Sequence, residues 1–214
     1  MPPDRLILAF DTSAAHCAAA LVSGDRLLAE RLDPMEKGQA EHLFPMLEAL
    51  LRSAGAGWRD LDAIAVGIGP GNFTGVRLSV AAARGVGLAR RIPLHGVSRL
   101  EAAAFGLPRP CLVALDARMG RVYLQRFGQP ESAPQIAMAD AIPADFVQGA
   151  ACAAGDAAER VAPGVPVRAP TLPLAHAMAR IAGARPAPAG RPAPLYLLPA
   201  DAAPPRDGPP LILP

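Results

Sequence analysis

Lysine is almost absent: Lys37 stands alone among twenty arginines. With alanine and proline abundant, the bias fits the coding habit of a GC-rich genome and marks no arginine-specific chemistry. The arginines are scattered and the net charge is only +2, so there is no concentrated basic stripe of the kind that marks a nucleic-acid surface. Long apolar runs are missing as well. The opening MPPDRLILAFD has an acid at Asp4 and five consecutive apolar residues, which fits neither a secretory leader nor a membrane span. Cysteine is scarce. Cys17, Cys111 and Cys152 are odd in number and far apart, so they read as reduced, buried thiols of a cytoplasmic protein with no metal or redox role. His16, His42, His95 and His176 nowhere form an i, i+4 pair, and a lone histidine is usually structural.

What is present suits a globular α/β protein of 214 residues, 51% hydrophobic and 19% charged, in one sizeable domain or two small lobes. LILAF (6–10) is a buried-strand run closed by Asp11, and 16–22, a turn at 23–25 and 26–32 read as a hairpin. Leu43, Met46, Leu47, Leu50 and Leu51 recur at helical period. Their helix is expected to start near Glu41, ahead of Pro45, where a missing amide is tolerated. A strand at 63–68, a helix at 74–90, a strand at 94–97 and a helix at about 98–105 follow. GLPRP (106–110) marks a boundary. Beyond it CLVALD (111–116) and RVYLQRF (121–127) repeat the opening strand–Asp–turn–strand pattern. One more strand near 150–154, the stretch GDAAERV (155–161) and a helix at about 173–183 complete a thinner second copy. The expected division is 1–106, 107–185 and a proline-rich tail, 186–214.

The duplicated pattern describes two ribonuclease-H-like units, the architecture of sugar kinases, actin and Hsp70-type ATPases, with a reduced second lobe. In that fold the strand-ending aspartates belong to phosphate loops. Asp11, Thr12 and Ser13 are therefore candidates to orient a magnesium-bound phosphate, although Asp11, and Asp116 more strongly, better suit strand ends that bond local amides. The second loop, DARMGR, has only Gly120 to bring backbone near a phosphate.

GIGPGNFTGVR (67–77) has the glycines of a phosphate-binding turn but neither of its familiar spacings. G-x-G-x-x-G fails in both frames, no lysine follows for a P-loop, and Pro70 removes an amide. The turn therefore suits tight geometry, with Asn72 or Thr74 capping the next helix. On that helix Gly75, Ser79, Ala83 and Gly87 form a small-residue stripe that lets another helix approach closely. It faces either the protein's own interior or a second protein.

ILAFDTS, EHLFPMLEALL, LDAIAVGIGPGNFTGVR, IPLHGVSRLEAAA and LVALDARMGRVY resemble, in order, the motifs of the TsaB (YeaZ) family of bacterial tRNA threonylcarbamoyladenosine biosynthesis. The likeness covers about residues 6–127, and PLYLLPADA (194–202) is similar to the family's carboxyl-terminal segment, with Leu198 where an arginine is frequent. The resemblance implies an accessory, noncatalytic paralogue of the TsaD transferase. At the places of that enzyme's metal-binding histidines stand Arg99 and Ala103. It further implies a docking bundle made of helices 41–54 and 74–90, placing Leu43, Leu47, Leu50, Gly75, Val76, Ser79, Val80 and Ala83 at a partner interface. TsaD, a TsaE-type ATPase and a second copy are the implied partners. tRNA is met only through the complex, no cofactor is held tightly, and ATP or ADP with magnesium is a candidate ligand at the interface.

Three rival functions remain in view. An active ATPase or sugar kinase needs two good phosphate loops, and turnover lost on Asp11→Ala would support it. A degenerate glycoprotease-like metalloprotein needs stoichiometric zinc or iron. A free-standing RNA-binding module needs tight, salt-sensitive tRNA binding without a partner.

Overall fold

The two repeated sequence patterns fold into two sheets with matching strand order. The computed structural model describes residues 4–197, so Leu198 and the rest of the expected tail beyond it lie outside the described residues. In the first sheet β1 (Leu6–Asp11), β2 (His16–Ser23) and β3 (Arg26–Pro34) are antiparallel neighbours. β4 (Ala63–Gly67) and β5 (Leu94–Val97) add on parallel to β1, giving the order β3-β2-β1-β4-β5. The second sheet repeats this with β6 (Cys111–Asp116), β7 (Arg121–Phe127), β8 (Gln135–Met138) and β9 (Cys152–Ala154) in the order β8-β7-β6-β9. Again the first pairings are antiparallel and the last, β6 with β9, is parallel. At the fifth place stands only an isolated parallel bridge, Ala153 to Val167. The chain thus has a duplicated ribonuclease-H-like fold with a shortened second copy.

Helices separate and cover the sheets. α1 (Gln39–Ser53) and α2 (Phe73–Arg90) bury Leu43, Met46, Leu47, Leu50, Leu51, Val80 and Ala83 against Leu8, Phe10, Ile64 and Val66 on one face of the first sheet. The opposite face is rich in alanine: Ala9, Ala18, Ala20, Ala63 and Ala65, with Ile7, Val22 and Val97, meet Ala175, Met178, Ala179, Ile181 and Ala182 of α6 (Leu174–Gly183). Small side chains on both partners bring that helix close to the strands. α3 (Arg99–Ala104) lies between the sheets, with Ala102 toward the first and Leu100 and Ala104 toward the second. α4 (Ala144–Val147) and α5 (Ala158–Val161) close the outer face of the second sheet.

Two expectations need correction, and two short elements had not been expected. α1 begins at Gln39, so Pro45 lies in its second turn. A left-handed Gly38 (φ 82°) delivers the chain into the helix with no side-chain cap, and nothing in the local sequence gave that start away. α6 packs on the first sheet, not with the lobe assigned to 107–185, because a helical stripe reveals a buried face but not which sheet buries it. β8 and α4, each four residues long, are too short to generate a periodic pattern.

Candidate functional site between the lobes

The loop after β1 closes on itself. Asp11, Thr12 and Ser13 are 0% exposed. The Ser13 amide donates to Asp11 Oδ1 (3.0 Å), and the Ser13 hydroxyl lies 2.9 and 2.8 Å from the two carboxylate oxygens. His16 Nε2 lies 2.9 Å from Oδ1. Burial pushes the Asp11 carboxyl up, but the His16 hydrogen bond and charge, the charge of Arg99 and the Ser13 hydroxyl together hold it below the usual carboxylate range. Thr12 Oγ1 donates to the Gly75 carbonyl at 2.6 Å. The three candidate ligands of a magnesium-bound phosphate are thus buried and already hydrogen-bonded within the protein, with Ser13 at the wall of the smaller interlobe cleft. The sequence pointed to the loop through its Asp-Thr-Ser pattern. It missed the pairing with His16, whose only trace is a four-residue turn joining two antiparallel strands.

The glycines of 67–77 make this closure possible. A Cβ at Gly67 would fall on the Asp11 carboxylate, one at Gly71 on the Ser13 carbonyl, and one at Gly75 on the Thr12 carbonyl. Asn72 N–H donates to the Ser13 carbonyl at 2.6 Å. The Asn72 side chain caps α2, accepting from the amides of Thr74 (3.0 Å) and Gly75 (3.3 Å). Of the two caps expected, Asn72 is the one used. The turn is shaped to press one loop of the protein onto another.

The loop after β6 is tied differently. Asp116 Oδ2 accepts from the Arg118 amide (3.1 Å) and Oδ1 from Arg160 (2.9 Å), while the Asp116 amide donates to Asp156 (2.7 Å). Arg118, Met119 and Gly120 all have left-handed backbone, with φ of 63°, 52° and 73°. Two non-glycine residues there mark local strain of about 1–3 kcal/mol each. Between the lobes lie two clefts, of about 1050 and 690 Å³, both lined by Arg99 and Asp156. The larger reaches His16, Leu32 and Arg168; the smaller lies among Ser13, Lys37, Phe73, Arg118 and Tyr123. Arg99 Nη1 donates to the Pro70 carbonyl at 3.3 Å. An arginine thus sits close enough to Asp11 to act on its charge, at a position the family resemblance matched to a metal-binding histidine.

No group of three or more His, Cys, Asp and Glu side chains gathers into a metal-holding cluster among the described residues. His42 pairs with Asp33 at 2.6 Å, and His95 is buried with Nε2 unpartnered. No helix among the described residues is long and apolar enough to cross a membrane.

The proposed interface set is an interior set. Leu43, Leu47, Leu50, Gly75, Val76, Ser79, Val80 and Ala83 are all buried. The Ser79 hydroxyl donates to the Gly67 carbonyl at 3.0 Å, and a Cβ at Gly87 would press on the Leu94 side chain. The small-residue stripe fits α2 against β1, β4 and β5. Stripe spacing cannot distinguish a sheet from a partner helix as the opposing surface. The outward faces of α1 and α2 instead expose Phe44 (40%), Phe73 (48%) and Leu88 (69%).

Comparison with known proteins agrees with this architecture. The family model for TsaD, tRNA N6-adenosine threonylcarbamoyltransferase, matches residues 34–162. YeaZ from Pseudomonas aeruginosa, a solved structure, superposes with TM-score 0.66 at 31% identity, covering 84% of this chain and 91% of that one. The chain belongs to the TsaB/YeaZ family. A second family structure, of an uncharacterized protein with similarity to peptidase YEAZ from Pseudomonas aeruginosa, gives TM-score 0.73 at 28% identity over 91% of this chain and 100% of its own. The tRNA threonylcarbamoyladenosine biosynthesis protein TsaB of Escherichia coli K12 is 38% identical over 132 residues, 59% of this chain and 56% of its own length. Its Bacillus subtilis counterpart is 37% identical over 120 residues, 55% and 52%. The matched region therefore spans about half the length of these curated relatives.

Proposed function

We propose that this chain is an accessory subunit of tRNA threonylcarbamoyladenosine biosynthesis that binds and activates a TsaD-type transferase without performing the transfer. The reading is carried by relatives named for that biosynthesis. The internal bonding of Asp11, Thr12 and Ser13 supports the noncatalytic part. On this reading the chain works in the cytoplasm, meets tRNA only within the complex, and pairs with a second copy when alone. A TsaE-type ATPase joins the assembly, and ATP or ADP with magnesium is held at an interface with a partner chain. Docking uses the outward faces of α1 and α2. There Phe44, Phe73 and Leu88 supply apolar contact, and Gly85, with open space around its Cβ position, permits close approach.

The test is co-purification with the cognate transferase, with and without nucleotide, together with tRNA modification from preformed threonylcarbamoyl-adenylate. The expected result is a stable pair, with modification only when the transferase is present. Transfer by this chain alone would overturn the proposal, as would a transferase equally active without it.

A further inference from the structure

Beyond α6 the proline-rich chain 184–197 has no helix or strand, yet it is held at several points along its length. The Arg84 guanidinium donates twice to the Pro192 carbonyl, from Nε (2.9 Å) and Nη2 (2.6 Å), and Pro192 itself is buried beside Gly96. The Leu195 amide donates to the Ile68 carbonyl at 2.8 Å, inside the glycine turn. Tyr196 stacks on Phe73 with ring centroids 5.4 Å apart, and its hydroxyl accepts from Arg77 Nε at 2.8 Å. The Arg77 guanidinium also lies 3.6 Å above the centre of the Phe73 ring. Leu197 then packs against the apolar cluster shared by α3 and the second sheet.

We propose that α2, the glycine turn and Gly96 form a groove for an extended proline-bearing peptide, that the chain's own residues 192–197 are its resident ligand, and that this strap is exchangeable. Its grip is local: one backbone hydrogen bond, one arginine fork on the buried Pro192, the Arg77 bond to the Tyr196 hydroxyl, a half-buried Leu197, and a tilted ring pair whose members, Phe73 and Tyr196, are about half exposed. Such a segment opens without global unfolding. A prolyl chain is pre-extended, so it loses little freedom on docking. Docked, the strap covers the turn that seals Asp11 and ends on the interlobe core. Phe73, which Tyr196 contacts, also lines the smaller cleft, with Tyr123 of β7. Release frees the hydrogen-bonding groups of Arg77 and Arg84 and the Ile68 carbonyl of the turn together.

The groove is tested in the full-length chain without any transferase, so the outcome is separate from that of the proposed function. Leu195→Pro removes the amide that bonds Ile68 while keeping the chain extended; Tyr196→Ala removes the stack. Each variant is compared with the parent by amide hydrogen exchange, and by binding of a fluorescent peptide of residues 186–197. The expected result is exchange at 68–77 faster by about tenfold or more, an unchanged centre of α2, and peptide binding by the variants but not by the parent. Unchanged exchange at 68–77 would overturn the strap. Faster exchange throughout would make it fixed core, and equal peptide binding by the parent would mean that the segment does not occupy the groove.

Discussion

Two glycines of α2 give a controlled test of how the glycine turn and the Asp11 loop fit together. Gly85→Ala and Gly75→Ala make the same chemical change in the same helix. At Gly85 no atom lies within 4 Å of the added methyl. There the helix gains about 1 kcal/mol of propensity, a rise of about 2–4 °C in Tm for a chain of this size. At Gly75 the methyl lands on the Thr12 carbonyl, which is backbone and cannot swing aside. Overpacking of this kind costs about 1–3 kcal/mol. The buried bond from Thr12 Oγ1 to the Gly75 carbonyl must also distort, and an orphaned buried hydroxyl costs about 1–3 kcal/mol more. After the gain in propensity, Gly75→Ala is destabilising by about 1–5 kcal/mol. Urea denaturation of both variants beside the parent measures the difference. Equal stability of the two alanine variants would refute the close contact, and with it the account of why this turn is rich in glycine.

Three further outcomes follow from burial. Ala83→Arg, in the 0% exposed stripe, places a bulky charge in the core and is expected to cost more than about 3 kcal/mol; normal melting with lost transferase binding would instead return the stripe to the surface. Burial pushes Cys17 up to about 11 and Cys111 up to about 12, so in a thiol-reagent assay near neutral pH both react only as fast as the protein unfolds, and rapid labelling of the native chain would contradict this. Burial, then the charges of Arg5 and Arg185, hold His95 below its usual value of 6.5. The unfolded chain therefore takes up the proton first, and stability present above about pH 6.5 falls as pH drops toward the folded-state value. His95→Gln flattens the urea-midpoint profile in that window, and an unchanged slope would rule the residue out.

Elements with strong local periodicity were legible in the sequence. The Leu43–Leu51 stripe, the apolar runs closed by Asp11 and Asp116, and the capped helix after the glycine turn all lie where residue pattern alone put them. Tertiary choices were not legible. The alanines of α6 and the Gly75–Gly87 stripe announce close packing, but both helices turn those faces to the first sheet. Nothing in the spacing of small residues distinguishes a strand surface from a partner helix. At the Asp11 loop the residue types were visible, but their meaning depended on neighbours distant in sequence. Gly67, Gly71 and Gly75 supply the close approach, and Arg99 supplies a charge, from 56 to 88 positions away.

The same aspartate-ended strand can serve two ends, and its partners decide between them. A phosphate loop needs amides and carboxylate oxygens left open to a ligand. Here the Ser13 amide and hydroxyl bond to Asp11, and Asp11 also receives His16. The Thr12 hydroxyl bonds to α2, and the Ser13 carbonyl accepts the Asn72 amide. In the second lobe Asp116 is bound by Arg160 and by the Arg118 amide. The Asp11 carboxylate is held below the usual range by these donors and links β1 to β2 through His16, while the Thr12 hydroxyl and the Ser13 carbonyl tie the loop to the glycine turn and α2. Opening that joint to admit a phosphate would break several buried hydrogen bonds at about 1 kcal/mol each, before any ligand contact is made. The geometry therefore directs attention to the interlobe clefts and the outward helix faces, which are open, and to the groove that residues 192–197 fill.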